Sequence, residues 1–385
     1  MTGPAAAPGV LEKYRGLKAR VRYYGADGRR LQPADLHAQL RAGDAPARRA
    51  AWEKLCGSWK SFEAEGFDLF NEACRAKIPS CALELYNVQP GPLLAPALAA
   101  RPRLHAALEE KAALVGANGF RFCDMWARLP AAAGSEMNFE EGLKELAKLC
   151  DSVFAGGGDF VRAMQADGRL TFGEGNPHCM TPPGGGMVRV VLPESYRRLR
   201  PEDLPAVAHE LGHALHCDLN ARLSPEKSYA TIFAEFFSQL LEELCWRRLL
   251  AAAAPELKRQ LTLGRLEQET FDFLLMPMLL KLEEDATQRA KRGALTRERL
   301  EELEDEACRE WFATPSNGAR FWLRTERLFN PELAFDSFVY ISGRALSLAA
   351  ADRAARAGRL EKPALEALAL DTVTLDLKSW LQKYP

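Results

Sequence analysis

Three of the chain's six histidines fall within eight residues, in the stretch Ala208-His209-Glu210-Leu211-Gly212-His213-Ala214-Leu215-His216. Its H-E-x-x-H core sits in an apolar-periodic segment. On a helix, residues four apart project from one face, so two imidazoles can reach one metal ion. The intervening glutamate is then held beside any water that the ion polarises. These residue types at this spacing predict metal-assisted hydrolysis, with His209 and His213 as ligands and Glu210 as general base.

A catalytic zinc takes three protein ligands and keeps one position open. His216 shares the face but lies ~10 Å along the axis from His209, too far for one ion that also binds His213. It also misses the metzincin spacing, so we expect it behind the ligands or facing substrate. The next segment, Tyr229 to Glu242, supplies a better third ligand. Thr231, Glu235, Ser238 and Glu242 form one polar stripe at i, i+4, i+7 and i+11, amid Phe233, Phe236, Phe237 and Leu240. A carboxylate among so many aromatics is costly to bury unless it is paired or bound to metal. Glu235 is therefore the expected ligand, on a helix lying antiparallel to the motif helix.

The elements that must position these residues read as mostly helical. Helical periodicity covers 46–76, 101–115, 138–153, 203–219, 229–250, 255–292, 296–312, 333–356 and 363–382. Asp203 is the expected N-cap of the motif helix, with Pro205 in its first turn. Gly212, between the two histidines, implies an element packed closely against that helix. One strand is clear, Met187 to Leu192 after a triple glycine, with Arg169 to Phe172 as its candidate partner. His178-Cys179 reads as loop, where a histidine is more often structural than a ligand. Leu274 to Leu280 reads as buried helix, and Glu301 to Glu306 as a solvated helical face.

Composition excludes other classes. The formal net charge of −1 over 385 residues leaves no electrostatic footprint for nucleic acid or an anionic membrane. No apolar run approaches the ~20 residues of a membrane span. Nine scattered cysteines, with no C-x-x-C pair, argue for reduced thiols. The N-terminus has neither a basic nor an apolar leader region, so a cytoplasmic location is expected.

From His209 to His216 the chain is similar to the H-E-[FL]-G-H-x-x-H motif of the thimet oligopeptidase family, especially its oligoendopeptidase F branch. Glu235, Ser238, Gln239, Leu241 and Glu242 match the family's downstream E-x-x-S-Q and Leu-Glu. The resemblance is specific over roughly 185–250 and looser elsewhere, through Phe122 to Trp126, Asn138 to Leu143, Phe329-Asn330-Pro331 and Phe338 to Leu346. It implies a mainly α, gluzincin-type metallopeptidase with two helical lobes around a cleft and a small β-sheet beside the H-E-x-x-H helix. It also implies one Zn2+ per chain, held by His209, His213 and Glu235. Ser238, Gln239, Glu242 and His216 would stand behind the ligands. The glycine-rich strand, at Gly186 and Met187, would line the cleft against substrate backbone.

The chain departs from the family in two places. No histidine follows His216, and only Tyr340 remains in the segment that usually binds the substrate carbonyl. The chain is also shorter than typical members, which implies a reduced N-terminal lobe over residues 1–160 and a catalytic lobe over 161–385 of a single catalytic unit. Tyr340 becomes the candidate oxyanion donor, with a core tyrosine as the equal alternative. Arg344, four residues on, could take a substrate C-terminal carboxylate, although a solvated helix arginine is the plainer reading. The expected activity is zinc-dependent hydrolysis of short or unstructured peptides. Rival readings are a precursor-processing peptidase with a remodelled cleft, or a metal-holding peptide-binding protein with weak catalysis. The expected partner is a peptide substrate, with no nucleic acid and no membrane; the oligomeric state stays open.

Overall fold

The computed structural model describes residues 9–25, 28–42, 44–77, 90–129, 136–174, 177–180, 187–227, 229 and 231–383. Helices dominate, with three small sheets among the described residues. The fold is mainly α, as the periodicity predicts. Contacts divide the chain into two compact units whose segments interleave. The first comprises Met1–Leu85, Ala97–Leu129 and Glu269–Phe338. The second comprises Tyr86–Pro96, Pro130–Gln268 and Val339–Pro385, so residue 160 falls inside it.

The first unit packs helices Val10–Lys18, Glu63–Ala76, Met276–Lys291 and Arg297–Phe312 around aromatic residues. Tyr14 stacks on Phe329 at 3.8 Å between ring centroids, and its hydroxyl donates to the Leu323 carbonyl at 2.9 Å. Gly66 admits Leu323 into the helix surface, since a Cβ there would lie 2.1 Å from the Leu323 Cδ1. Leu274, Leu275, Met276, Met278, Leu279 and Leu280 are buried, so this run is core.

The second unit is built on helix Leu204–Leu223, which carries the H-E-x-x-H motif. It is apolar well beyond one stripe. Leu204, Val207, Ala208, Leu211, Ala214, Leu215 and Leu219 are all buried, and neighbours cover it on several sides. Helix Phe236–Ala252 packs along it, helix Lys362–Thr374 lies on it, and a three-stranded sheet adjoins it. The close approach expected at Gly212 is present. A Cβ at 212 would sit 2.6 Å from the Ser238 Cα and 2.8 Å from the Phe237 carbonyl oxygen. Asp203 stands at the N-cap, but its carboxylate accepts from the Arg200 backbone N–H at 2.9 Å rather than capping the helix.

In that sheet Arg189–Pro193 is central. It pairs in parallel with Leu170–Gly173, as expected, and antiparallel with His178–Met180, which the sequence reads as loop. Two alternating apolar residues, Val190 and Leu192, fill the buried face. Arg169 ties sheet to helix. Its guanidinium grips Asp218 with two bonds of 2.8 and 2.9 Å, while Nε donates to the Val188 carbonyl at 2.7 Å.

Other departures are local. The 229–250 periodicity resolves into a 3-10 turn, Thr231–Phe233, and a helix that begins only at Phe236. The 255–292 stretch contains a π turn at Phe271–Leu275. The glycines at 156–158 open a helix, Gly157–Ala166, rather than simply breaking one. Gly157 is needed there because a Cβ would lie 2.4 Å from the Cys150 carbonyl oxygen. The eight described cysteines are free thiols. Among the described residues no helix is long and apolar enough to cross a membrane.

Candidate metal centre

His209 and His213 lie one turn apart on the motif helix, with rings meeting edge to face at 5.0 Å between centroids. Glu235 comes from the turn just before helix Phe236–Ala252 and occupies that helix's N-cap. The expected single helix carrying Glu235 mid-way is therefore corrected: the polar stripe is split between a 3-10 turn, an N-cap and the helix proper. The Glu235 backbone nevertheless stays in the right-handed helical region (φ −91°, ψ −7°), just outside the helix proper.

The three side chains converge. Glu235 Oε2 lies 3.2 Å from His209 Nε2 and 3.4 Å from His213 Nε2, and all three donor atoms fall within 4.8 Å of one another. Ligands placed ~2.0–2.1 Å from a tetrahedral ion are separated by about 3.3 Å, so both Glu235 spacings suit a zinc-like site. The donor set, two imidazole nitrogens and one carboxylate oxygen, suits the same ion. The side chains keep 11% to 18% of their surface exposed, which leaves solvent access to the point where they meet.

Two of the three ligands, His209 and Glu235, have supporting contacts. Glu242, almost fully buried about two turns along from Glu235, accepts from His209 Nδ1 at 3.0 Å. That bond fixes the tautomer that presents Nε2 to the centre. Ser238 Oγ donates to the Glu235 carbonyl oxygen at 2.9 Å and lies 3.2 Å from Glu235 Oε2. Gln239 Nε2 donates to the Tyr340 carbonyl at 3.3 Å.

Electrostatics distinguish the carboxylates. Burial pushes Glu210 above the usual carboxylate range; the neighbouring His209 and His213 oppose that, and Glu235 adds to it. Glu235 is buried too, yet hydrogen bonds from both histidines outweigh burial and hold it well below that range. Burial disfavours a charged His209, but its bonds to Glu235 and Glu242 raise its basicity well above the ordinary value. Two carboxylates on adjacent elements thus have opposite proton affinities, the pattern expected of one proton carrier and one ligand.

The remaining expected site residues divide. His216 is fully buried and sandwiched between Tyr229 and Phe237 at 4.1 and 4.4 Å. The Thr372 hydroxyl donates to the Ala369 carbonyl at 2.7 Å, so its oxygen accepts from His216 Nε2–H at 2.8 Å. Burial and the nearby His213 lower the His216 pKa to about 3, leaving it a neutral packing group. Arg344 is corrected outright. It is fully buried and donates to Glu243 at 3.0 Å, so it is neither a solvated helix arginine nor open to a substrate carboxylate. Met187 is 56% exposed beside the central strand, whereas Gly186 lies outside the described residues. Tyr340 is half-buried on helix Ser337–Ala357. His178, on the edge strand rather than in a loop, lies near enough to Glu210 for its charge to favour the carboxylate.

Sequence reasoning did not foresee Gly343 or Glu243. A Cβ on Gly343 would lie 2.9 Å from the Glu235 Cβ. Glu243, fully buried beside Glu242, is held by Arg247, Arg265 and Arg344 at 2.7, 2.7 and 3.0 Å. Burial alone would raise its pKa, but the arginines win and lower it. The run Glu242-Glu243 was the available signal: two adjacent carboxylates in an apolar helix both need partners.

No family model and no curated protein matches the sequence, but solved structures match the fold. A Chlamydophila abortus protein provisionally assigned as a peptidase superposes with a TM-score of 0.74 at 16% identity, over 97% of this chain and 67% of that one. Oligoendopeptidase F from Enterococcus faecium gives 0.66 at 14%, over 97% and 66%. A Bacillus anthracis protein provisionally assigned to the same enzyme gives 0.61 at 14%, over 97% and 73%. The chain thus spans about two thirds of the length of the first two. With a helix-borne H-E-x-x-H, a glutamate converging on it and these superpositions, the chain has the oligoendopeptidase F fold over the part of it that it spans.

Proposed function

We propose that the chain is a metal-dependent peptidase acting on short or unstructured peptides, with His209, His213 and Glu235 as ligands. The convergence of two Nε2 atoms on one Glu235 oxygen, at 3.2 and 3.4 Å, carries the reading. A divalent ion, zinc by donor type, would supply Lewis acidity at the scissile carbonyl and would acidify water at neutral pH.

The protein's own groups do the rest. Glu210 follows His209 on the motif helix and takes the proton of the attacking water. Its burial raises its basicity toward the working pH, which suits a group that must accept a proton and then release it to the leaving nitrogen. Glu242 keeps His209 Nδ1 protonated and Nε2 available. Tyr340 is assigned the donor to the carbonyl oxygen as negative charge develops there. Met187, exposed just before the central strand, is assigned to substrate backbone.

The test is cleavage of a mixed peptide library by wild type and Glu210→Gln, with zinc content measured on both. The reading expects cleavage by wild type and its loss in a variant that keeps zinc. Cleavage unaffected by the substitution would remove Glu210 as the base. Zinc uptake with no cleavage by wild type would favour a metal-holding peptide-binding protein instead.

A further inference from the structure

Glu235 stands one residue before its helix and caps no backbone N–H; besides the local Ser238 hydroxyl, tertiary contacts hold it. Two glycines on two different helices close around its turn. Gly212 meets the Ser238 backbone from the motif helix. Gly343, within helix Ser337–Ala357, meets Glu235 itself: an added Cβ would lie 2.5 Å from Gln239 Oε1, 2.9 Å from the Glu235 Cβ and 3.2 Å from its carbonyl carbon. Real Cβ atoms essentially never come within 3.0 Å of another heavy atom, so a side chain at 343 must push away the Gln239 amide and press on the Glu235 Cβ of the ligand turn.

The neighbours of Gly343 hold the same contact in register. One turn earlier, the Tyr340 carbonyl accepts from Gln239 Nε2 at 3.3 Å. One residue later, Arg344 donates to Glu243 at 3.0 Å, next to the Glu242 that holds His209. The segment Tyr340–Arg344 therefore packs against Glu235 directly and reaches His209 through the adjacent carboxylates Glu243 and Glu242.

We propose that Gly343 is a positioning residue for the metal ligand Glu235, with Gln239 setting the register of its helix against the ligand turn. The proposal rests on the metal-centre reading given above. It explains why a residue unfavourable in a helix interior occupies this position in a long buried helix. It also links the placement of Tyr340, on the same helix face, to the placement of the ligand.

The experiment measures binding of zinc alone to the full-length metal-free chain, by competition with a chromophoric chelator, alongside thermal unfolding of the same preparations. Gly343→Ala should weaken zinc binding about 10- to 100-fold, the range for residues that orient a ligand, while unfolding stays cooperative. Gln239→Leu alone adds no bulk at the glycine and should weaken zinc by roughly tenfold, so a Gly343→Ala chain that fails to fold leaves the proposal exposed to refutation. Gly264→Ala is the control, because a Cβ there meets the buried Trp246 ring at 3.0 Å and the Glu202 side chain, neither of them a residue of the metal cluster.

Zinc affinity unchanged in folded Gly343→Ala, or in folded Gln239→Leu, would overturn the positioning role. An equal loss in Gly264→Ala would reduce the effect to general destabilisation and overturn it too. Wild-type protein that takes up no zinc would overturn the metal reading itself, and the proposal with it.

Discussion

In the first unit the Lys77 ammonium meets Glu283 at 2.7 Å, with both side chains almost fully buried. The ammonium also donates to the Leu328 carbonyl at 2.7 Å, and the carboxylate accepts from the Phe335 backbone at 3.0 Å. In the second unit one carboxylate oxygen, Glu235 Oε2, faces two imidazole nitrogens at the partly exposed end of a polar cluster. The lysine pair is closed: one cation, one anion, and the remaining capacity given to backbone. The histidine cluster is open: its backing atoms, such as Glu242 behind His209 Nδ1, are satisfied, while three donors turn toward a common point. Burial of charge alone therefore does not mark a functional site. Convergence of electron-pair donors, with His209 and Glu235 braced from behind, does.

Substitutions separate the two clusters by what they damage. The largest effect falls on chemistry: Glu210→Gln should lower peptide hydrolysis by about 10²–10⁴-fold in steady-state assays while chemical unfolding stays close to wild type. Lys77→Met has the opposite signature. It strands the Glu283 carboxylate and should cost about 3–5 kcal/mol in denaturant unfolding, with zinc affinity unchanged. Glu242→Gln is intermediate. It keeps a hydrogen-bonding group behind His209 but removes the charge, and chelator competition should show zinc binding weakened about 10–100-fold.

The smallest effect is a change of pH slope. Folded His216 binds a proton only near pH 3, whereas in the unfolded chain it titrates near 6.5. As pH falls from about 6.5 toward 3, the unfolded state takes up a proton that the folded state refuses, so stability is lost over that window and is full above it. His216→Phe keeps the stack on Phe237 and should flatten that part of a stability–pH curve measured by thermal unfolding. A slope unchanged by the substitution would assign the titration to other groups.

Much of this was legible in the chain because local patterns decide it. The motif spacing places His209, Glu210 and His213 on one helix, and Gly212 announces a close neighbour. The polar stripe and its aromatic surroundings single out Glu235. What it does not reveal is where helices stop under tertiary load. Thr231 to Phe237 has helical periodicity, yet the helix begins at Phe236, so the ligand sits on a turn. The role of Arg344 is equally invisible from its own position, because its partner Glu243 lies a hundred residues away in sequence. Short edge strands such as His178–Met180 carry too little alternation to announce themselves, and only pairing with Arg189–Pro193 defines them. Gly343 has no local signature, since its importance lies in the atoms packed against it.

The most direct test of the open-cluster account is zinc stoichiometry by equilibrium dialysis and elemental analysis on wild type and Glu235→Ala. The account predicts one tightly held ion per wild-type chain and loss of stoichiometric zinc in the variant. No stoichiometric zinc in wild type, or zinc held equally well without Glu235, would contradict it.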